Sequence, residues 1–204
     1  SYRLTLVDEL PLDWTGSFAN GSVLQIMNLS NVRAAVADYP VIEDNHISTF
    51  PITVTPAEDA PANSIEHVTI VVENLKTGQY ISSHAVEFVV KESIDLEVDP
   101  SSQLVNLSVG ESVVTRVKIS NTGNTQTLYN LWLDDSSSDE VSFEIETSDS
   151  VLVGSGFDST VKIRLTASST ARADVEYKAT LWVESPASGL NVSADIIRSE
   201  EHTS

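Results

Sequence analysis

Cysteine is absent from the 204 residues, so the chain forms no disulfide, no thiol nucleophile and no thiolate metal site. Basic residues are scarce: eleven Lys and Arg stand against thirty Asp and Glu, a formal charge of −19. A surface of that sign repels phosphate backbones and anionic headgroups, which argues against nucleic acid as a partner. Long apolar runs are missing too. None approaches the ~18 residues of a membrane-spanning helix, so no membrane insertion is expected in this stretch. What is present is globular in kind, with 41% hydrophobic and 20% charged residues, enough apolar material to build a core.

The apolar residues alternate with period two, the pattern of strands with one buried face. In Val113-Val-Thr-Arg-Val-Lys-Ile119, residues Val113, Thr115, Val117 and Ile119 share a side. The same alternation groups Ile94/Leu96/Val98, Val105/Leu107/Val109, Tyr129/Leu131/Leu133, Val141/Phe143/Ile145, Val161/Ile163/Leu165, Ala179/Leu181/Val183 and Val192/Ala194/Ile196. Turn formers separate them at Asp99-Pro100, Gly110-Glu-Ser112, Asn121-Thr-Gly-Asn124, Gly154-Ser-Gly156 and Pro186-Ala-Ser-Gly189. Short strands at this spacing predict an all-β fold, an antiparallel sandwich of the immunoglobulin type.

The first half repeats part of the second. A shift of 111 places Ser48–Val86 on Ser159–Ile197 without a gap, with eleven of 39 pairs identical, among them Ile52/Ile163, Thr69/Thr180, Val72/Val183, Glu73/Glu184 and Gly78/Gly189. Tyr2-Arg-Leu-Thr-Leu6 matches Tyr129-Asn-Leu-Trp-Leu133 once a loop insertion around 20–46 is allowed. Within it, Ser30 is placed to cap a short helix through Asn31–Ala37, ended before Pro40. The expected domains are therefore 1–92, an incomplete sandwich lacking its early strands, and 93–197, a nearly whole one. Their junction, Val89-Val-Lys-Glu-Ser-Ile94, has no Gly or Pro, which predicts a stiff tandem. No signal peptide is visible at the start. The last residues, Arg198-Ser-Glu-Glu-His-Thr-Ser204, read like a translated sequencing adapter; they are expected to be a non-native tail on a metagenomic fragment.

Val117-Lys-Ile-Ser-Asn-Thr-Gly-Asn124, followed by the Tyr129–Leu133 strand, the Gly154 turn and Tyr177-Lys-Ala-Thr-Leu-Trp-Val183, resembles the immunoglobulin-like modules of archaeal and bacterial surface proteins, of CARDB or NEW3 type. Asp174-Val-Glu-Tyr177 stands where those modules usually carry a Gly. The resemblance implies β-sandwich spacers of cell-surface, adhesion or secreted hydrolase chains and transfers no catalytic residue. The Asn-Thr-Gly-Asn segment is expected to reverse the chain through positive φ, which Gly and Asn tolerate.

Trp132 and Trp182 fall out of phase with the core residues of their strands, so both are expected to point outward from neighbouring strands of one sheet, as a glycan or protein contact or as shields of that face. Module one has Thr5 and Val71 there, so any such role is not repeated. Asp134, Asp135, Asp139 and Glu140 cluster in one loop, as calcium ligands or as a solvated acidic loop; EF-hand spacing is absent. Glu43-Asp44-Asn45-His46 carries the same ambiguity. Asn20, Asn28, Asn106 and Asn191 head glycosylation sequons. Catalysis finds little footing. His46, His67, His84 and His202 lack metal-ligand spacing, Ser83 and His84 project to opposite faces of a strand, and Gly154-Ser-Gly156 opens no helix. The sequence thus reads as a non-catalytic extracellular spacer or adhesion module of a larger surface repeat protein, with neighbouring modules, surface proteins or glycans as partners and no cofactor, calcium at the acidic loop being the alternative. The alternative function is that of an accessory, carbohydrate-contacting module of a secreted hydrolase.

Overall fold

The structure, a computed structural model, describes residues 2–8, 10–11, 13–18, 25–26, 33–39, 51–135, 139–172 and 175–199. The chain divides into two compact units, Ser1–Lys91 and Glu92–Ser204. Every regular element among the described residues is a strand.

The C-terminal unit is a two-layer sandwich. One sheet carries the order β12(Val141–Ile145), β14(Asp158–Ala167), β10(Ser112–Ser120), β8(Glu97–Asp99). The other carries β13(Ser150–Val153), β11(Thr127–Asp135), β15(Tyr177–Glu184), β16(Asn191–Ser199), β9(Ser102–Asn106). This is an immunoglobulin-like order, in which the first strand is shared between the layers: β8 pairs antiparallel with β10, and β9 pairs parallel with β16. The alternation explains the layering, because Val117, Ile119, Val161, Ile163 and Leu165 of one sheet and Tyr129, Leu131, Leu181, Val183 and Ile196 of the other meet in a single core. Val109 departs from its expected face. It lies past the end of β9 in the turn closed by Gly110 (φ +75°) and is exposed.

Asn121-Thr-Gly-Asn124 corrects the reason given for it. None of its residues has positive φ. Buried Asn121 donates through Nδ2 to the carbonyls of Thr125 (2.8 Å) and Val153 (2.9 Å) and accepts from the Gly123 amide (3.0 Å). Asn124 Oδ1 accepts from the Ser93 amide at 2.7 Å. Gly123 is small because the Ser93–Asp95 backbone lies against its α-carbon. The segment is a clamp between strands. The final strand also runs past the expected module end at 197. Arg198 is buried, donating from Nε to Leu107 O (3.0 Å) and from Nη1 to Arg172 O (2.8 Å) with its guanidinium 5.7 Å from the Tyr177 ring centroid. Residues 200–204 lie outside the described residues.

The N-terminal unit has the sheet order β3(Gln25–Ile26), β4(Arg33–Tyr39), β1(Tyr2–Asp8), β6(Ile65–Asn74), β7(Gln79–Val89) and a ribbon of β2(Thr15–Phe18) with β5(Ile52–Thr55). Leu4, Leu6, Leu10, Trp14, Ala60, Val68 and Val90 form its core. The order β1-β6-β7 reproduces β11-β15-β16, in the same register across the first pair: Leu4 faces Val72 and Leu6 faces Ile70, as Leu131 faces Val183 and Leu133 faces Leu181. Of the helix expected over Asn31–Ala37, Ser30, Asn31 and Val32 lie outside the described residues and 33–37 belong instead to strand β4. It pairs with the free edge of β1, where β13 pairs with β11, and this ladder overrides a weak local helix preference. The gapless repeat also needs a correction. A bulge shifts the β6/β7 register between Val72 and Glu73, leaving Ile81 as the extra residue, so that Ser82, Val86 and Phe88 turn inward while Ile81 and Ala85 are exposed.

Candidate functional site

Strand phase places Leu128, Asn130, Trp132 and Asp134 of β11 on the outer face of the β13-β11-β15-β16-β9 sheet, because Tyr129, Leu131 and Leu133 take the core side. Trp132 lies directly opposite Trp182. Their rings are stacked, with centroids 6.3 Å apart and planes 14° from parallel, and Trp132 remains 41% exposed. In the N-terminal unit Thr5 and Val71 occupy the same paired positions.

Polar rows flank the tryptophans at the roughly 7 Å spacing of alternate residues. On one side stand Asn130, Glu184 and Asn191, and on the other Asp134, Thr180 and Asp195. Sequence phase also contained, without its being drawn out, a set of apolar neighbours: Leu128 faces Leu152, and Ile197 faces Leu104, which is 67% exposed. Each is the residue out of step with its strand's buried positions. The face therefore offers aromatic and aliphatic surface edged by carboxylates, amides and hydroxyls, an arrangement suited to contact.

Asp195 accepts from Thr180 Oγ1 at 2.9 Å and pairs with Lys178 Nζ at 2.8 Å. The Lys178 ammonium, then the Thr180 hydroxyl, hold its carboxyl below the ordinary Asp value. A lowered folded-state pKa gives stability that is complete above the unfolded-state pKa and is lost as pH falls through the folded one. An NMR titration of the carboxyl resonances is expected to show Asp195 protonating below an ordinary exposed Asp, with Lys178→Met moving it upward.

The remaining candidates separate. Asp134 and Asp135 close β11, and Asp139 is exposed. Glu140 turns away to Arg172 Nε (3.2 Å) and the Tyr177 hydroxyl, and these bonds, that from Tyr177 foremost, hold its pKa low. Among the described residues no three acidic or histidine side chains gather as a metal-holding group. Asn106 and Asn191 are exposed, Asn106 accepting from Ser199 Oγ at 3.0 Å; Asn20 and Asn28, like Glu43–His46 and His202, lie outside the described residues. His67 stands 3.6 Å from Glu87. His84 and Ser83 are consecutive, exposed β7 residues. Ser155, in the Gly154–Gly156 turn, donates to Gly123 O at 2.8 Å, tying that turn to the clamp.

No protein-family model and no curated protein matches the chain. Among solved structures it is similar to the ASH/PapD-like domain of human CEP192, at 13% identity and TM-score 0.40, over 53% of this chain and 87% of that one. It is also similar to domains 4 and 5 of the S-layer protein SbsC, at 13% identity and TM-score 0.37, over 92% and 71%. A protein of unknown function from Porphyromonas gingivalis is a third, at 11% identity and TM-score 0.36, over 97% and 84%.

Proposed function

We propose that the chain is a non-catalytic spacer or adhesion segment of a larger extracellular repeat protein at a cell envelope. The observation that carries this reading is the repetition of one sandwich plan, β1-β6-β7 on β11-β15-β16, with Leu4 and Leu6 meeting Val72 and Ile70 as their counterparts do. Repeating a packed unit multiplies length and binding surface, and it gains nothing for chemistry confined to one cleft. The acidic surface keeps such an array hydrated and apart from its neighbours. Its partners are adjoining modules and surface proteins reached through the outer tryptophan face.

Single-molecule stretching of the 204-residue chain tests the mechanical side. The C-terminal unit joins its first and last strands in parallel, Ser102–Asn106 beside Asp195–Ser199, so a pull on both ends loads that ladder along its length. Two rupture events are expected, the stronger belonging to this unit. Rupture of the C-terminal unit at or below the force of the N-terminal one contradicts the spacer reading.

The flanked stack of Trp132 on Trp182 favours a second reading, an accessory module of a secreted hydrolase that contacts glycan. The two readings part in one titration. A spacer shows no change in tryptophan emission with soluble polysaccharides, and in it the Trp132–Trp182 stack is worth about 1 kcal/mol beyond the surface the two rings bury. A saturable change that Trp132→Ala/Trp182→Ala abolishes would establish the glycan contact.

A further inference from the structure

The two units differ most at their edges. In the C-terminal unit β9 covers the outer edge of β16, and β10 lies between β14 and β8. In the N-terminal unit, among the described residues, no strand pairs with β7 on the side away from β6, and β5 pairs with β2 alone. The side chains register the difference. Ile163, Leu165 and Ile196 are fully buried, whereas Ile52, Val54 and Val86, their counterparts by strand position, are half-buried. A sheet edge with no strand beside it among the described residues, next to half-covered apolar groups, is the condition under which a sheet accepts another strand.

The register says where it would lie. Asp195 faces Thr180 and Ala85 faces Thr69, the matching residue of the repeat, so the stretch that β9 covers, Asp195–Ser199, corresponds to Ala85–Val89. On the other layer β10 sets Thr115 opposite Ile163 and Val113 opposite Leu165, positions that Ile52 and Val54 hold in the N-terminal unit. We propose that the N-terminal unit is a strand acceptor, completed by polypeptide covalently joined ahead of Ser1, which adds one strand parallel to Ala85–Val89 and a following strand antiparallel to β5. The occupant must alternate apolar residues inward, as Leu96, Val105, Val117 and Ile119 do in the intact unit. Covalent supply is favoured because the C-terminal unit draws these strands from the residues just before β11, and β1 is the counterpart of β11. The proposal rests on the sandwich repeat and not on the spacer reading.

Hydrogen exchange on the 204-residue chain, alone and with a copy of residues 92–127 fused ahead of Ser1, tests it. In the unextended chain the amides of Ala85–Val89 and Ile52–Thr55 are expected to exchange much faster than those of Asp195–Ser199 and Ile163–Thr166. The fusion should slow the first two stretches by about tenfold or more, while a fused copy carrying Val105→Asp, Val117→Asp and Ile119→Asp should not. If the fusion does not fold, the same peptide added in trans should give the same protection. Equal exchange rates in the two units of the unextended chain, or no effect of either donor, would overturn the proposal. Protection that rises with protein concentration in the unextended chain would assign the edge to a second copy and overturn it as well.

Discussion

Gly123→Ala is expected to destabilise the C-terminal unit by about 3 kcal/mol, the cost of forcing side-chain volume against a backbone that cannot move aside. A β-carbon on Gly123 would meet the Ser93 carbonyl oxygen and lie 2.8 Å from the Asp95 nitrogen. Both belong to the chain entering β8, which is held in place by Asn124. Asn121→Ala should cost a similar ~3 kcal/mol, because the Thr125 and Val153 carbonyls and the Gly123 amide lose their partner where water does not replace it. Asn124→Ala, on a more exposed contact with Ser93, should cost about 1 kcal/mol. Urea unfolding followed by the emission of Trp132 and Trp182, in a Trp14→Phe background that silences the N-terminal core, measures all three. Losses under half a kcal/mol for Gly123→Ala and Asn121→Ala would show that the clamp does not hold the layers.

Ile163→Ala and Ile52→Ala remove the same group from the same place in the repeat, and their costs should differ widely. Ile163 is 0% exposed on β14, between Thr115 of β10 and Ile145 of β12, in the core shared by the two sheets. Its truncation should cost about 3–4 kcal/mol, since a buried site cannot collapse around the void. Ile52 is half-buried on the β2/β5 ribbon, where solvent already reaches part of the side chain, and about 1 kcal/mol or less is expected. Comparable costs at the two positions would mean that the N-terminal core is as fully covered as the C-terminal one. The contrast would then have no basis.

The all-β fold and the core of the C-terminal unit were legible because alternation reports burial directly: Val117, Ile119, Val161, Ile163 and Leu165 needed only their spacing. The outward pair was legible for the same reason, since a tryptophan out of phase with its strand has one side left to point to. Three features were not. Strand β4 was hidden because an alanine-rich stretch carries little periodicity, and its pairing partner, the edge of β1, is set by tertiary contact. The bulge at Ile81 was hidden because an aligned pair of sequences counts residues and not hydrogen bonds, so an extra residue in a ladder leaves no gap. The role of Gly123 was misassigned because glycine serves both positive φ and close approach, and only the Ser93–Asp95 chain beside it distinguishes them. The aliphatic neighbours Leu104, Leu128 and Leu152 were readable by phase, yet a leucine in a strand is easily assigned to the core.

Differential scanning calorimetry of the 204-residue chain beside its Gly123→Ala variant bears most directly on the repeated-unit account. Two separate cores, one around Leu6, Trp14 and Val68 and one around Tyr129, Ile163 and Leu181, should melt as two transitions, with only the C-terminal one moved by the substitution. A single transition, or two that both shift, would show one cooperative core and contradict the account.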